Sequence, residues 1–426
     1  MKILNILVLP GGTEIGMEIW RALKDCKGIR LYSASSDDAH HDPYVFARHF
    51  IVPDVHEPTW LETLNEVLAE QKIHYVFPAH DDVALSLAEY ASKLRAGIVS
   101  SPLKTCRTAR SKIATYECLR GVVPLPVVYD DPASISEFPV FVKPDIGQGS
   151  GDVHLILNME QLFRCLAAPK RYVVTEYLPG EEFTIDCFSD RERGLLFCSG
   201  RTRSRTRSGI SMKSRLVHEE IFHGYAASIS KKMEFHGAWF FQMKKDRQGK
   251  LKLLEVAPRI AGTMALNRVR GVNFPLLSIY EQERIPVQIM MNQVDVEIDR
   301  ALVNRYRHNV RYRTVYVDLD DTLILHGRVN TALVQFLYQC VNESIRLVLL
   351  SRHDGNVERT LQLHRLGSLF DAVIQIDRKA SKADYIREAD AILIDDSFRE
   401  RMDVHCRLGI MTFDCSMIEM LLDERV

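Results

Sequence analysis

The sequence is short of several things, and each shortage removes a class of explanation. Net charge is −1 over 426 residues, with a pI near 6.9, so bulk charge gives no support to general polyanion binding. No apolar run reaches the roughly 18 residues that a membrane helix needs. Nine cysteines are present, but no C-x-x-C pair. That suits reduced thiols in the cytoplasm better than disulfides or a zinc–thiolate site. No internal repeat or low-complexity tract is visible. The N-terminal "MKILNILVLPGG" is basic and then apolar. Its apolar run is short and runs into Gly11-Gly12, so it reads as a first β-strand rather than a signal peptide.

What is present is ordinary globular composition, 46% hydrophobic and 26% charged. The length predicts about three domains. Over residues 1–105, short apolar runs ("ILNILVLP", "IRLYSAS", "IHYVFPAH") alternate with amphipathic segments ("EIGMEIWRALKD", "WLETLNEVLAEQ"). That alternation predicts a Rossmann-like parallel α/β domain. Ligands of such sheets sit beyond the carboxyl ends of strands, which singles out Gly11-Gly12-Thr13 and His80-Asp81-Asp82. "LPGGTEIG" lacks the full G-x-G-x-x-G pattern and the Gly-Lys-Ser/Thr ending of a phosphate loop. It reads as a tight strand-to-helix turn whose amides would be able to hold an anion. The acidic loop reads equally as helix capping or as a substrate contact through Asp81.

Residues 106–300 change to longer strands with Gly-rich turns, an α+β pattern. "VFVKPDIGQGSGDVHLI" places Lys143 at a strand end. A loop with Gly147, Gly149, Ser150 and Gly151 follows, suited to approach phosphate oxygens. "YVVTEYLPGEEFTIDCF" gives a strand, a hinge at Glu176-Tyr177-Leu178, and Glu182 after a turn. "FFQMKKDRQGKLKLLEVAPRIAGT" predicts a hairpin turning at Asp246–Gly249. It would bring the oxygen ligands Gln242 and Glu255 together for magnesium. In "GRTRSRTRSGIS", Arg201, Arg203, Arg205 and Arg207 alternate. If extended, all four would leave one strand face and bind a triphosphate and an anionic substrate; a solvated hairpin is the other reading. No aromatics interleave, which argues against a nucleic-acid strip. The charged segment 292–312 reads as a linker.

In this order the motifs of residues 1–300 resemble the ATP-grasp ligases, most closely their carbamoyl-phosphate-synthase-like branch. The resemblance implies a pre-ATP-grasp domain (1–105) and an ATP-grasp domain (106–300). It implies that Lys112 and Lys143 contact ATP phosphates, that Glu176, Tyr177 and Leu178 form the adenine hinge, and that Glu182 takes the ribose. Gln242 and Glu255 would bind magnesium, Arg259 would steady the transferring phosphoryl group, and Asp81, Arg201 and Arg203 would meet substrate. The family usually has Asn two residues after the metal Glu; this chain has Ala257.

Residues 301–426 return to strand–helix alternation. In "VYVDLDDTLI", Asp318 stands at a strand end with Asp320 two residues on. Ser351, Lys382 (with Lys379 as a rival) and the pair Asp395-Asp396 follow in order. These motifs resemble the haloacid-dehalogenase-like (HAD) phosphatases. The resemblance implies a Rossmannoid fold, Asp318 as nucleophile, Asp320 as general acid–base, and magnesium held among Asp318, Asp320, Asp395 and Asp396. About 25 residues separate the first two motifs, too few for a large cap domain.

Together these imply a cytoplasmic enzyme using ATP and magnesium to join a carboxylate to an amine. A fused capless phosphatase would act on a phosphorylated small molecule. Neither nucleic acid nor membrane is an expected partner, and a homodimer is compatible. A small-molecule kinase with phosphatase, or a nucleotide-sensing regulatory module, would carry many of the same motifs.

Overall fold

The computed structural model describes residues 3–147 and 151–425. The chain divides into two compact units between Leu302 and Val303.

Unit 1 opens with β1 (Leu4–Leu9), β2 (Ile29–Ser35), β3 (His49–Ile51), β4 (Tyr75–Pro78) and β5 (Gly97–Ile98), in the order β3-β2-β1-β4-β5. Every pairing is parallel, as runs buried on both faces require. The order reverses between β1 and β4, so the loops after them open side by side. Thr13 caps the helix Glu14–Leu23 by accepting from Gly16 N. Its hydroxyl also lies 3.2 Å from the Ala79 carbonyl oxygen, which ties the two loops together.

Next come β6 (Val140–Pro144), β7 (His154–Ile156) and β8 (Tyr172–Glu176), an antiparallel sheet in the order β7-β6-β8. The largest sheet follows. It contains β9 (Glu182–Asp190), β10 (Gly194–Thr202), β11 (Arg205–Arg207), β12 (Ile210–Val217), β13 (Gly237–Lys245), β14 (Leu251–Ala257) and β15 (Glu297–Asp299). Its order is β11-β12-β10-β9-β13-β14, with β15 on β12. The two-residue period of strands divides its faces. Phe183, Ile185, Cys187, Trp239, Phe241 and Met243 pack with Phe222, Ala226 and Ile229 of the helix Glu220–Lys232. The alternate positions, Thr184, Asp186, Phe240 and Gln242 among them, take the other face.

Two boundaries differ from expectation. Residue 105 is not a break in packing, because one apolar cluster joins Ile6, Val8 and Trp20 to Phe240, Ile260 and Phe274. The expected linker 292–312 contains β15, where Lys213, Ser214 and Arg215 pair with Asp299, Ile298 and Glu297. Its acids hid a strand alternation, Val294-x-Val296-x-Ile298.

Unit 2 contains β16 (Thr314–Val317), the hairpin β17 (Ile324–Leu325) and β18 (Arg328–Val329), β19 (Arg346–Ser351), β20 (Ala372–Gln375), β21 (Ala391–Ile394) and β22 (Met411–Phe413). The sheet is parallel, in the order β20-β19-β16-β21-β22. Only the small hairpin separates the end of β16 from the helix Thr331–Asn342, in keeping with the short spacing.

Trp239 tests the core of the large sheet. It is fully buried, stacks on Phe235 with ring centroids 3.9 Å apart, and donates to Ser189 Oγ at 2.9 Å. Trp239→Ala should cost about 3–5 kcal/mol, read as a lower urea midpoint; an unchanged midpoint would mean that this core is not packed as described.

Candidate active sites

Lys143 owes its position to strand alternation. Val140 and Val142 turn to an apolar cluster with Val174, so Phe141 and Lys143 take the opposite face of β6. Lys143 is 6% exposed and donates to Tyr116 Oη at 2.6 Å. Tyr116 donates onward to the Leu254 carbonyl at 3.1 Å. Leu254 is the extra residue of a β-bulge, since Gln242 faces Glu255 while Met243 faces Leu253. Among the described residues, no carboxylate comes within ion-pair distance of Lys143. Burial pushes its pKa down to about 8, opposed by the charges of Glu255 and Glu182. Lys112 begins the helix Lys112–Leu119 and donates to the carbonyls of Asp145 and Gly147; burial lowers its pKa too.

These lysines line a cavity with Gly147, Gly151, Glu176, Tyr177, Leu178 and Glu182. The structure thus brings together the phosphate-type and hinge residues picked from sequence. Gly149 and Ser150 lie outside the described residues. Two of the acids are engaged: Glu176 accepts from Val127 N at 2.9 Å, and Glu182 pairs with Arg203 at 2.6 Å.

A second cavity, of about 300 Å³, shares Gln242 and Glu255 with the first. A row of opposed residues runs through its wall: Arg201 on β10, Thr184 on β9, Gln242 on β13 and Glu255 on β14. Directly opposed residues share a face, so this row is polar across four strands. Arg201 is 1% exposed and donates to both oxygens of Asp186, at 2.8 and 3.0 Å. Asn267 Nδ2 donates to the same carboxylate at 3.1 Å. Arg201 Nη1 and Thr184 Oγ1 are buried with no hydrogen-bond partner among the described residues.

Arg259 also lines this cavity and grips Asp81 through two hydrogen bonds of 2.6 and 2.8 Å. Burial pushes the Asp81 carboxyl up, but the Arg259 charge and hydrogen bonds outweigh it, and its pKa is lowered. Asp81 begins the helix Asp81–Glu89 and lines the same cavity, with both of its carboxylate oxygens engaged by Arg259.

Sequence comparison finds the same region. Residues 168–303 match the family model described as ATP-grasp in the biosynthetic pathway with Ter operon. Unit 1 has an ATP-grasp fold. The chain is similar to a biotin carboxylase–β-γ-ATP complex from Campylobacter jejuni, with a TM-score of 0.55 at 13% identity over 68% of this chain and 72% of that one. It is similar to an L-amino acid ligase from Bacillus licheniformis (TM-score 0.52, 18% identity, 66% and 73% covered). It is also similar to an N5-carboxyaminoimidazole synthetase from Staphylococcus aureus complexed with ADP (0.51, 17%, 61% and 71%). No curated protein gives a significant sequence match.

Within the ATP-grasp unit one expectation needs correction. The four alternating arginines do not leave one strand face. β10 ends at Thr202 and β11 starts at Arg205, with a register shift after Arg205. Arg201 and Arg203 line the second cavity, whereas Arg205 and Arg207 are exposed and Arg205 pairs with Asp299. The Asp186, Glu182 and Asp299 carboxylates compete for the guanidinium groups and separate them.

Unit 2 gathers its motif residues at the carboxyl ends of β16, β19 and β21. Lys382 is buried and donates to Asp318 and Asp395, each at 2.5 Å. Lys379 is exposed, so of the two lysines it is Lys382 that pairs with these carboxylates. Ser351, also buried, hydrogen-bonds Asp318. Burial pushes Asp318 up to about 6, with Lys382 opposing and Asp395 adding to the shift. Asp318, Asp395 and Asp396 place ligand oxygens within 4.8 Å of one another. Thr322 fixes Asp396 by accepting from its backbone N–H at 2.9 Å. Asp320 stands apart from that trio, more than half exposed, with His353 Nδ1 2.9 Å from its carboxylate. Sequence reasoning missed His353. Its signal was its place two residues after Ser351, on the loop beside the one that carries Asp320.

The Asp186–Arg201 pair gives a test independent of any activity. Asp186→Ala leaves a guanidinium buried without its carboxylate and should cost about 3–5 kcal/mol. Asp186→Ala combined with Arg201→Met should recover part of that loss in urea denaturation. A double variant no more stable than the single one would show that the pair does not account for the cost.

Proposed function

We propose that unit 1 is an ATP- and magnesium-dependent ligase that activates a carboxylate as an acyl phosphate for attack by an amine. The observation that carries this reading is the shared wall. Gln242 and Glu255 line both the lysine-and-hinge cavity and the cationic cavity, so a phosphoryl donor in one would meet an acid in the other. The residues fit the missing groups. Lys143 is a buried cation facing the cavity, with no ion-paired carboxylate among the described residues, as a phosphate-binding group would be. Gln242 and Glu255 are opposed oxygen donors, suited to magnesium held jointly by protein and phosphates. When bound, the ion would offset charge on the transferring phosphoryl group. Lys112 and Lys143 would hold the phosphates, and the hinge 176–178 would place the adenine. The carboxylate oxygen attacks the γ-phosphorus, giving acyl phosphate and ADP. The amine then attacks the acyl carbon and expels phosphate. Similarity to ligases and carboxylases supports the fold behind this reading, and the N5-carboxyaminoimidazole synthetase among them was solved with ADP bound.

We propose further that unit 2 is a HAD-like phosphatase, on the order of its motifs and the Asp318–Asp395–Asp396 cluster. Asp318 would take the phosphoryl group, Asp320 would protonate the leaving oxygen and then activate water, and Lys382 and Ser351 would hold the phosphoryl oxygens. Those carboxylates would hold the magnesium. One chain would then use ATP to drive a bond and strip phosphate from a substrate, product or intermediate of the same pathway.

The deciding experiment is ADP release by the full chain against pooled carboxylates and amines. ADP that depends on both acid and amine supports the ligase, and ADP without a carboxylate–amine product refutes it. Lys143→Ala should abolish ADP release while hydrolysis of an aryl phosphate continues, and Asp318→Asn should do the reverse; loss of both activities in either variant would refute two separate sites.

Lys143 also predicts a pH dependence. Its free-state pKa near 8 means that it loses its proton as pH rises through that value. Nucleotide phosphates favour the protonated form. Binding should therefore take up a proton near pH 8 to 9, and affinity should fall across that range. Lys143→Met should flatten the profile. Calorimetry in buffers of different ionisation enthalpy measures the uptake, and none in the wild type would contradict this placement of Lys143.

A further inference from the structure

We propose that Arg300, with the free Nη1 of Arg201, selects an acid substrate bearing a second anionic group beyond the carboxylate that reacts. This rests on the ligase reading of the cavity that Gln242 and Glu255 share.

Following the pairings of the arginines that line this cavity singles out one of them. Arg201 is taken by Asp186, Arg203 by Glu182 and Arg259 by Asp81. Arg300 is the exception. Its Nη1 donates to the Ser211 carbonyl at 3.3 Å. Among the described residues, no carboxylate lies within 4.0 Å of its guanidinium. Glu14 is the nearby acid: a Cβ added at Gly262 would meet both Glu14 Cγ and Arg300 Nη2 at 3.1 Å. Glu14 raises the Arg300 pKa, but burial outweighs it and the value is lowered. A half-buried guanidinium without an ion pair favours an anion that brings its own charge.

The second observation is independent. Arg201 is 1% exposed, yet its Nη1 has no hydrogen-bond partner among the described residues. A buried donor left unmade is costly, so a ligand oxygen there has an energetic reason to bind. Thr184 Oγ1 beside it is equally unpartnered. Arg201 and Arg300 line the same cavity, so an anion bound there would offset the charge of both. Gln242 and Glu255 mark where the reacting carboxylate must go, so these arginines remain for another group.

Arg300 follows β15, where its backbone N–H donates to Met212 O at 2.8 Å. The pairing of β15 with β12 therefore sets its position. The cavity, about 300 Å³, suits a small acid. Carboxylate and phosphate share the chemistry that would satisfy Arg300, and the test separates them.

The full chain is assayed for ADP release with hydroxylamine as a general amine. Propionate and alanine serve as acids with one anionic group, succinate and glutamate as dicarboxylates, and phosphoserine as a phosphate-bearing acid. Acids with the second group should be preferred. Arg300→Gln should raise their KM by roughly 10- to 100-fold, the loss expected for a charge-assisted hydrogen bond, with kcat changed far less. Arg300→Lys should restore part of the affinity, and unchanged affinity for a non-hydrolysable ATP analogue controls for folding. Preference for glutamate or for phosphoserine identifies the anion. Equal use of propionate and succinate, or an unmoved KM in Arg300→Gln, overturns the proposal. If no acid elicits ADP, the ligase reading fails separately. Calorimetry with succinate and inorganic phosphate, in magnesium and the ATP analogue, then decides the anion site. Binding that Arg300→Gln abolishes upholds it, and no binding to wild type overturns it.

Discussion

The buried pairing of Asp186 with Arg201 is the constraint on which the ATP-grasp site rests. Both side chains are almost wholly removed from water, which is expensive unless each charge is met. The two hydrogen bonds between them, with Asn267 as third partner, meet most of that demand. Once Arg201 is fixed, strand register fixes the rest, because Thr184, Gln242 and Glu255 are its successive neighbours across the sheet. The apolar underside with Trp239 and Phe241 holds the same strands from below. A polar row on one face and a packed aromatic core on the other follow from one two-residue period.

The two units use buried lysine in opposite ways. Lys143 is a cation without an acid, softened by burial and resting on a tyrosine hydroxyl. Lys382 lies between two carboxylates and neutralises part of their charge. In the first case the surroundings call for an anion. In the second, three clustered aspartates still outweigh one lysine, and a cation fits. That difference, rather than fold, gives the two sites different proposed chemistry.

Much of this was legible in sequence because it is periodic or tightly spaced. β1, β2 and β4, the strand–helix alternation of unit 2, the β13–β14 hairpin and the Asp318–Asp396 series depend on local pattern. What was not legible depends on distant partners. Thr184 and Asp186 are alternate positions of an ordinary strand, and only register places them beside Arg201 and Gln242. Tyr116 joins Lys143 to the carbonyl of a bulge residue, Leu254, that no motif announces. The arginine repeat looked like one cationic face, but acids 15 to 94 residues away divided it. β15 was hidden because its acids resembled a linker, although every second residue was apolar.

Ala257 completes the electrostatics of the proposed site. It lies two residues after Glu255, opposite Phe240, and is buried in an apolar cluster. Asp186, the next residue along that row, is committed to Arg201. Neither Phe240 nor the committed Asp186 replaces the asparagine usual in the resembled family, and Glu255 is the one carboxylate of the Gln242–Glu255 pair. Lys112, Lys143 and Lys244 line the same cavity. On the proposed reading, a lone magnesium ion would meet more positive charge than negative there. Magnesium binds readily through few protein oxygens when phosphates supply the others. The order that suits these residues is nucleotide and metal together, with the phosphates supplying the negative charge that Ala257 does not help to provide.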